Sequence, residues 1–202
     1  MSQAPGSGRM LALLAAGQSR RFGDQDKLNA LLGSKKLGLH AATTWAEFPF
    51  MRKLVIASPD HPCAQGWRDL GYRVIPNRQA EQGQATSVRH AAEQAIKFGA
   101  TSLCIALADM PFVSPDHIDR LLTGFENFGR QQIVASTSNE QAMPPAIFPQ
   151  DRLRLLSALD GDKGARAMLS HAHVIAGDEQ ILLDIDTAED LAKAEIIHNK
   201  NI

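Results

Sequence analysis

A loop with cationic side chains follows the first long apolar run of the chain. The run ends in two alanines and Gly17, and Arg21 and Lys27 lie within the next ten residues. Small residues let a flat ring approach the backbone, and the free N–H groups of such a turn can bind an anion. Arg21 and Lys27 add positive charge suited to phosphate groups. The loop therefore predicts a polyphosphate site, and the alternative is an ordinary strand–loop connection with a solvated basic face.

Two common phosphate-binding signatures are absent from this loop. Gly17 is followed six residues later by Gly23 and then by Asp24, so the pattern GxxxxGK[S/T] is not present. The pattern GxGxxG is also missing, which argues against a dinucleotide-binding fold. The ligand is therefore not expected to be held in either of these ways.

Carboxylates lie at two places where extended segments are expected to end. Asp109 directly follows the apolar run at 102–108. Asp184 and Asp186 alternate along a short extended segment, which places them on one face. Carboxylate oxygens suit Mg²⁺, which usually takes one or two of them together with phosphate oxygens and water. The alternatives are that Asp109 caps a helix or faces solvent in a loop, and that Asp186 caps the last helix.

The composition of the 202-residue chain excludes several classes of protein. The net charge is −1 and the aromatic content is 5%, so neither nucleic acid nor a membrane surface is expected as a partner. No apolar run approaches the ~20 residues of a membrane span. Cys63 and Cys104 form neither a CxxC pair nor a disulfide framework. The N-terminus lacks a secretory pattern, and the expected compartment is the cytoplasm.

Short apolar runs alternate with longer segments of helical periodicity. Continuous apolarity in the short runs is typical of strands covered on both faces, and the alternation predicts β-α-β units, a parallel sheet and an α/β layered domain. A flexible leader is expected at 1–9 and a single domain at 10–202. The expected strands lie at 10–16, 53–58, 72–76, 102–108, 132–136 and 145–148. The expected helices lie at 39–47, 63–70, 85–98, 151–159 and 163–171, with further helix starts after Ser114 and Thr187.

The loop from Leu14 to Lys27 reads LAAGxSxRFGxxxK and resembles the signature of nucleotidyltransferases of the molybdopterin cytidylyltransferase and guanylyltransferase type. The resemblance extends from about Met10 to Ile196. It implies a three-layer α/β/α fold with a mostly parallel, Rossmann-like central sheet, as in the nucleotide-diphospho-sugar transferases. It also implies that the loop wraps a triphosphate, that Arg21 and Lys27 are catalytic, and that Ala16 favours a cytidine nucleotide, because the guanylyl branch has glycine there. The implied nucleotide-binding residues of the loop are Leu14, Ala15, Ala16, Gly17 and Ser19.

Two further segments resemble this family in the expected order. The stretch at 77–88 resembles a loop that closes on the base and ribose. Its matching residues, implied to bind the nucleotide, are Asn77, Gly83 and Ser87. The stretch DIDTAEDL at 184–191 resembles the family's DIDTPEDL, with Ala188 in place of proline. By the resemblance, Asp109 is catalytic and holds Mg²⁺, the implied cofactor, with Asp186 preferred over Asp184 as the second metal contact.

The C-terminal half implies an acceptor site that departs from the family pattern. PAIF at 145–148 and GDKGAR at 161–166 resemble the family's GHPxxF and GDxGAR segments. The implied acceptor-binding residues are Pro145, Asp162 and Arg166. Met143-Pro144 replaces the usual Gly-His, so a position that permits close approach becomes stiff. His61, in the sequence His-Pro-Cys, is expected to lie in a loop without a chemical role.

The resemblance implies Mg²⁺-dependent transfer of CMP from CTP to molybdopterin or its molybdenum form, with release of pyrophosphate. Such a product implies transient contact with a molybdenum hydroxylase or its chaperone. The alternatives are the same transfer from GTP, transfer to another phosphorylated acceptor, and a non-catalytic cofactor-binding homologue. Arg21, Lys27, Asp109 and Asp186 are all present, which favours the catalytic alternatives.

Overall fold

A seven-stranded sheet forms the centre of the protein. The computed structural model describes residues 8–17, 19, 21–23, 26–159 and 167–200. The predicted acceptor residues Asp162 and Arg166 lie outside these ranges, as do 1–7 of the predicted leader and 163–166 of the helix expected at 163–171. The strands are β1 (Arg9–Ala15), β2 (Leu31–Leu32), β3 (Lys35–Lys36), β4 (Arg52–Ala57), β5 (Arg73–Pro76), β6 (Ser102–Leu107), β7 (Val134–Thr137), β8 (Ala142–Pro149) and β9 (His173–Ala176).

The central sheet is mostly parallel. Its strand order is β5-β4-β1-β6-β8-β7-β9. The neighbours β5, β4, β1 and β6 pair in parallel, β8 pairs antiparallel with β6 and with β7, and β9 is parallel to β7. The short strands β2 and β3 form a separate antiparallel pair. The carboxyl ends of β1 and β6 therefore lie side by side at one edge of the sheet, where open α/β sheets bind their ligands.

Helices cover both faces of this sheet, as expected for an α/β/α arrangement. They are α1 (Leu37–Ala46), α2 (Ala64–Asp69), α3 (Gln84–Lys97), α4 (Pro115–Asn127), α5 (Leu153–Ser157) and α6 (Ala188–Lys200). Short 3-10 turns lie at Lys27–Asn29, Ala80–Gln82 and Gln150–Arg152. In the described part of the chain, no helix is both long enough and apolar enough to cross a bilayer.

The burial of strand β1 explains why apolar and polar residues do not alternate in the first apolar run. Leu11 and Leu13 are fully buried in the core beneath α1, α2 and α4. Met10 and Ala12 are equally buried in the opposite core, beneath α3 and α5. A strand with apolar cores on both sides carries successive apolar residues, as β1 does from Met10 to Ala15, so the predicted buried parallel sheet is confirmed.

Several strands differ from the sequence expectations. The β2–β3 hairpin and β9 were not predicted, because the first has two-residue strands and the second alternates between half-buried and exposed residues at the sheet edge. Strand β8 begins at Ala142, before the strand expected at 145–148. Arg9, assigned to the leader, belongs to β1, because it pairs with Ser102 of β6; its buried guanidinium contacts Glu126 on α4.

Close approach at Gly38 joins α1 to the turn that carries Lys27. A Cβ atom at Gly38 would lie 3.1 Å from Leu28 Cβ, 3.3 Å from the Leu28 carbonyl oxygen and 3.3 Å from the Trp67 ring. A Cβ atom at Gly66 would instead meet only the ends of the Leu39 side chain. The turn thus packs so closely against α1 that an added methyl group would have to displace its neighbours.

We predict that Gly38→Ala lowers the free energy of unfolding by about 1–2 kcal/mol, because it overpacks backbone and a ring. Gly66→Ala is the matched control. There the flexible Leu39 side chain can move, and alanine favours the helix by up to about 1 kcal/mol over glycine. Urea unfolding of both variants is the measurement, and equal losses would contradict the close packing of Gly38 on Leu28.

Candidate active site

A polar cleft of about 670 Å³ opens at the carboxyl ends of β1 and β6. It unites residues from the loop after β1, the start of α3, the end of β6 and the segment before α6. The predicted site residues that line it are Leu14, Ala16, Gly17, Ser19, Arg21, Lys27, Gly83, Ser87, Asp109 and Asp186. Parts of the chain that are distant in sequence therefore meet where the motifs predicted a common site.

The Lys27 ammonium lies between two carboxylates in this cleft. Its Nζ atom is 2.6 Å from Asp109 Oδ2 and 2.6 Å from Asp186 Oδ1. The Lys27 side chain is only 7% exposed, whereas that of Asp186 is 43% exposed. One cation thus joins the loop after β1 to both acidic segments.

A backbone hydrogen bond brings the two acidic segments together. The Ile185 N–H donates to the Asp109 carbonyl oxygen at 3.0 Å, and Ile185 itself is fully buried. Because Ile185 points into the core, its neighbours Asp184 and Asp186 face outward into the cleft.

Asp186 does not cap the last helix. Thr187 Oγ1 accepts a hydrogen bond from the Asp190 N–H at 3.1 Å, and Asp190 Oδ2 accepts from the Thr187 N–H at 3.0 Å. Reciprocal bonds of this kind form a capping box, and they leave the Asp186 carboxylate for Lys27. The helix start predicted after Thr187 is confirmed, and the capping alternative for Asp186 is wrong.

The backbone of Lys27 is fixed by its neighbours. Its N–H donates to Ser19 Oγ at 3.2 Å, and the following N–H, of Leu28, donates to Asp26 Oδ1 at 3.0 Å. Asp26 is the N-cap of the turn Lys27–Asn29. Arg21 is less restrained: its side chain is 79% exposed and its Nη1 lies 3.7 Å from Asp186 Oδ2. Lys27 is therefore a fixed cation and Arg21 an exposed one.

Asn77 lies beneath the cleft rather than on its surface. It is fully buried, and its amide nitrogen donates to Thr86 Oγ1 at 2.9 Å and to Ser87 Oγ at 3.0 Å. Its amide oxygen accepts from the Gln79 N–H at 2.9 Å. The amide thus ties the end of β5 to the start of α3 and positions Ser87. Ala15 is also buried without lining the cleft.

A second cavity of about 490 Å³ adjoins the first. Both are lined by Leu14, Gln84, Leu107 and Asp184. The second is mainly apolar, and Met143 and Pro144, the residues that depart from the family pattern, line it. The predicted acceptor residue Pro145 does not line it; its carbonyl oxygen accepts a hydrogen bond from Ser136 Oγ at 2.9 Å.

The carboxylates could hold a divalent cation only with help from a ligand. Asp109 Oδ1 is buried and has no hydrogen-bond partner, so one oxygen is available beside the cleft. No group of three or more His, Cys, Asp or Glu residues suited to a metal occurs in the described ranges. Two carboxylates match Mg²⁺, which completes its coordination with phosphate oxygens and water.

The charges of this cleft depend on one another. Burial lowers the pKa of Lys27, but the Asp109 and Asp186 carboxylates outweigh it, and the pKa is raised above its usual value. Burial raises the pKa of Asp109, against the opposing effect of Lys27. Burial and repulsion from Asp109 and Asp186 also raise the pKa of Asp184. The ammonium thus supports a concentration of acidic groups that would otherwise repel one another.

His61 lies in a loop, as predicted, and contacts a partner that the sequence did not indicate. It is 6% exposed, and its Nε2 lies 2.7 Å from Asp26 Oδ2. No sequence motif linked the two residues, because they are distant in the chain and meet only when α2 packs beside the turn Lys27–Asn29. The only sequence feature that could have pointed to this contact was Asp26, the acidic residue immediately before Lys27.

We predict that Lys27→Met lowers the free energy of unfolding at pH 7 by about 3 kcal/mol, because it leaves a buried carboxylate without its partner. The Asp109 pKa is raised by burial, so protonation relieves the unpaired charge, and the deficit should shrink as the pH falls. The double variant Lys27→Met, Asp109→Asn should recover most of the loss. Urea unfolding across pH tests this, and wild-type stability in Lys27→Met would contradict the ion-pair arrangement.

Comparison with known proteins agrees with this site. Residues 11–179 match the family model of the MobA-like NTP transferase domain. Purine catabolism protein PucB of Bacillus subtilis is 30% identical over 192 residues, covering 88% of this chain and 91% of PucB. Molybdenum cofactor guanylyltransferase of Rhodobacter capsulatus is 28% identical over 191 residues, covering 91% of this chain and 93% of that protein.

A solved structure confirms the fold. Molybdopterin-guanine dinucleotide biosynthesis protein A from Archaeoglobus fulgidus superposes with a TM-score of 0.66 at 19% identity, covering 95% of this chain and 99% of that one. The match at 11–179 spans the loop after β1, the carboxylate at the end of β6 and three of the residues that line both cavities, Leu14, Gln84 and Leu107. The chain therefore belongs to the MobA-like NTP transferase family and is a nucleotidyltransferase.

Proposed function

We propose that this enzyme transfers a nucleoside monophosphate from a nucleoside triphosphate to the terminal phosphate of a molybdopterin-type acceptor. The observation that carries the proposal is the Lys27 ammonium between Asp109 and Asp186, beside a loop of small residues at the ends of β1 and β6. Cations and backbone N–H groups suit the β- and γ-phosphates, and the carboxylates suit a metal ion. The relatives named molybdenum cofactor guanylyltransferase support the acceptor class.

In the proposed reaction, an acceptor phosphate oxygen attacks the α-phosphorus in line. A new P–O bond forms, the bond between the α-phosphorus and its bridging oxygen breaks, and pyrophosphate leaves. Lys27 and Arg21 orient the triphosphate and stabilise negative charge on the leaving group. Asp109 and Asp186 would hold Mg²⁺, which supplies charge stabilisation at the phosphate oxygens when bound. The chain then acts by positioning and electrostatics, without a protein nucleophile.

Cytidine is the base we favour, because of Ala16. This residue is buried at the floor of the cleft and takes the place of the glycine of the guanylyl branch. Its methyl group reduces the space for a purine beside the backbone. The small loop residues and Ser87, which Asn77 holds at the rim, would contact the nucleoside.

GTP is the second candidate donor. Relatives named molybdenum cofactor guanylyltransferase cover more than nine-tenths of this chain, which favours a guanine nucleotide. Against it stands the single methyl group of Ala16. Direct comparison of the four nucleoside triphosphates decides between the two donors.

The acceptor would lie in the second cavity. That cavity shares Asp184 and Leu107 with the nucleotide cleft, so an acceptor there lies next to the α-phosphate. Its mainly apolar wall suits a flat ring system, and Met143 and Pro144 would contact it in place of the family's Gly-His. Asp162 and Arg166, outside the described residues, remain candidates for the acceptor's charged end. Delivery of the product implies transient contact with a molybdenum hydroxylase or its chaperone.

We predict that CTP with Mg²⁺ stabilises the protein more than the other three nucleotides do, since a ligand at 100 times its Kd adds ~2.7 kcal/mol to the folded state. We also expect α-labelled CTP, molybdopterin and Mg²⁺ to give the labelled dinucleotide and pyrophosphate.

Asp109→Asn should lower the rate of this transfer by about 100-fold or more. Asp119→Asn, an exposed acid on α4 outside the cleft, is the control and should match the wild type.

Stabilisation by GTP alone would reassign the base but keep the reaction. Pyrophosphate release at an undiminished rate in Asp109→Asn would remove the proposed metal role of that residue. A protein that binds molybdopterin but no nucleoside triphosphate would instead be a cofactor-binding homologue without the reaction.

A further inference from the structure

His61 lies behind the turn that carries Lys27, outside the cleft. It belongs to the loop between β4 and α2, and its Nε2 lies 2.7 Å from Asp26 Oδ2. The imidazole packs against Trp67 at 4.7 Å between ring centroids, with the ring planes tilted by 38°. Trp67 is itself fixed, because its indole N–H donates to the Gly38 carbonyl oxygen at 2.8 Å. The ring is therefore held in one place by aromatic packing.

A second hydrogen bond determines which nitrogen of His61 carries the proton. The Cys63 N–H donates to His61 Nδ1 at 3.1 Å, so Nδ1 acts as an acceptor. The neutral ring then carries its hydrogen on Nε2, the atom that faces Asp26. The N–H is not well aligned with a hydrogen-bond acceptor, so the contact of Nε2 with the carboxylate is short and bent.

Asp26 contacts both His61 and the turn that carries Lys27. While Oδ2 faces His61, Oδ1 accepts from the Leu28 N–H and caps the turn Lys27–Asn29. Burial raises the pKa of Asp26, but His61 and the Leu28 N–H outweigh it, and the pKa is lowered. The capping group is thus kept as a carboxylate. On the other side of the turn, Cys63 Sγ donates to the Leu28 carbonyl oxygen at 3.2 Å.

We infer that His61 is a positioning residue: by orienting Asp26, it fixes the turn from which Lys27 reaches the triphosphate. A loosely capped turn would let the Lys27 backbone shift, and a charge aimed at phosphate loses its effect when misplaced by about 1 Å. The inference rests on the proposed function in one respect, which is that Lys27 contacts phosphate.

Two isosteric variants separate the two ring nitrogens. The amide of Gln reaches the position of Nε2, so His61→Gln keeps a donor toward Asp26 and loses the Cys63 contact. The amide of Asn reaches the position of Nδ1, so His61→Asn keeps an acceptor for Cys63 and loses the Asp26 contact. Each variant loses the ring contact with Trp67 and one polar contact. The two variants should therefore lose similar free energies of unfolding.

We expect His61→Asn to raise the Kd for CTP with Mg²⁺ about 10-fold by calorimetry, and His61→Gln to stay within about threefold of wild type. GTP is measured alongside CTP. Hydrogen exchange of the Leu28 amide, which needs no nucleotide, should be about 10-fold faster in His61→Asn than in His61→Gln.

Equal Kd values and equal Leu28 exchange in the two variants would overturn the inference and leave His61 a packing residue. If the wild type binds neither nucleotide, the proposed function fails. The exchange rates would then still decide whether His61 fixes the turn through Asp26. Faster exchange in His61→Asn with unchanged Kd would overturn the link from the turn to Lys27 and phosphate binding.

Discussion

The ion pairs of the Lys27 ammonium with Asp109 and Asp186 are the interaction on which the arrangement of this site depends. They join three segments: the loop after β1, the end of β6 and the approach to α6. A buried cation between carboxylates is costly unless the geometry is good and its partners are close. The two Nζ–O distances of 2.6 Å satisfy that condition. The ion pairs place three charged groups at the carboxyl ends of β1 and β6, next to an otherwise apolar sheet.

The apolar sheet makes this concentration of charge possible. Strand β1 is buried on both faces, so the polar groups that follow it are confined to its carboxyl end. Parallel pairing of β1 with β6 brings Asp109 to the same edge. The capping box of Thr187 and Asp190 supplies the helix start of α6 and leaves Asp186 for the cleft. Each polar segment therefore has its own structural support, separate from the charges it presents.

Motif spacing predicted which residues line the cleft better than it predicted the contacts between them. Ala16, Lys27 and Asp109 follow strands whose apolarity was evident, so their meeting at one edge could be expected. The partner of Asp186 could not, because Lys27 is distant in the chain and the pairing requires the Ile185–Asp109 backbone bond. Asn77 was expected at the ligand, but its amide is occupied by Gln79, Thr86 and Ser87 within the protein. The contact of Asp26 with His61 exists only after α2 packs beside the turn.

The fold followed from the sequence wherever a strand is buried on both faces. The β2–β3 hairpin and the edge strand β9 are short and half exposed, and hydrophobic pattern does not distinguish such segments from loops.

A crystal structure with a non-hydrolysable CTP analogue and Mn²⁺ tests the central claim most directly. We predict triphosphate oxygens within hydrogen-bonding distance of Lys27 Nζ, and an anomalous Mn²⁺ peak on the carboxylate of Asp109. A triphosphate bound elsewhere, or a metal ion without contact to Asp109, would contradict it.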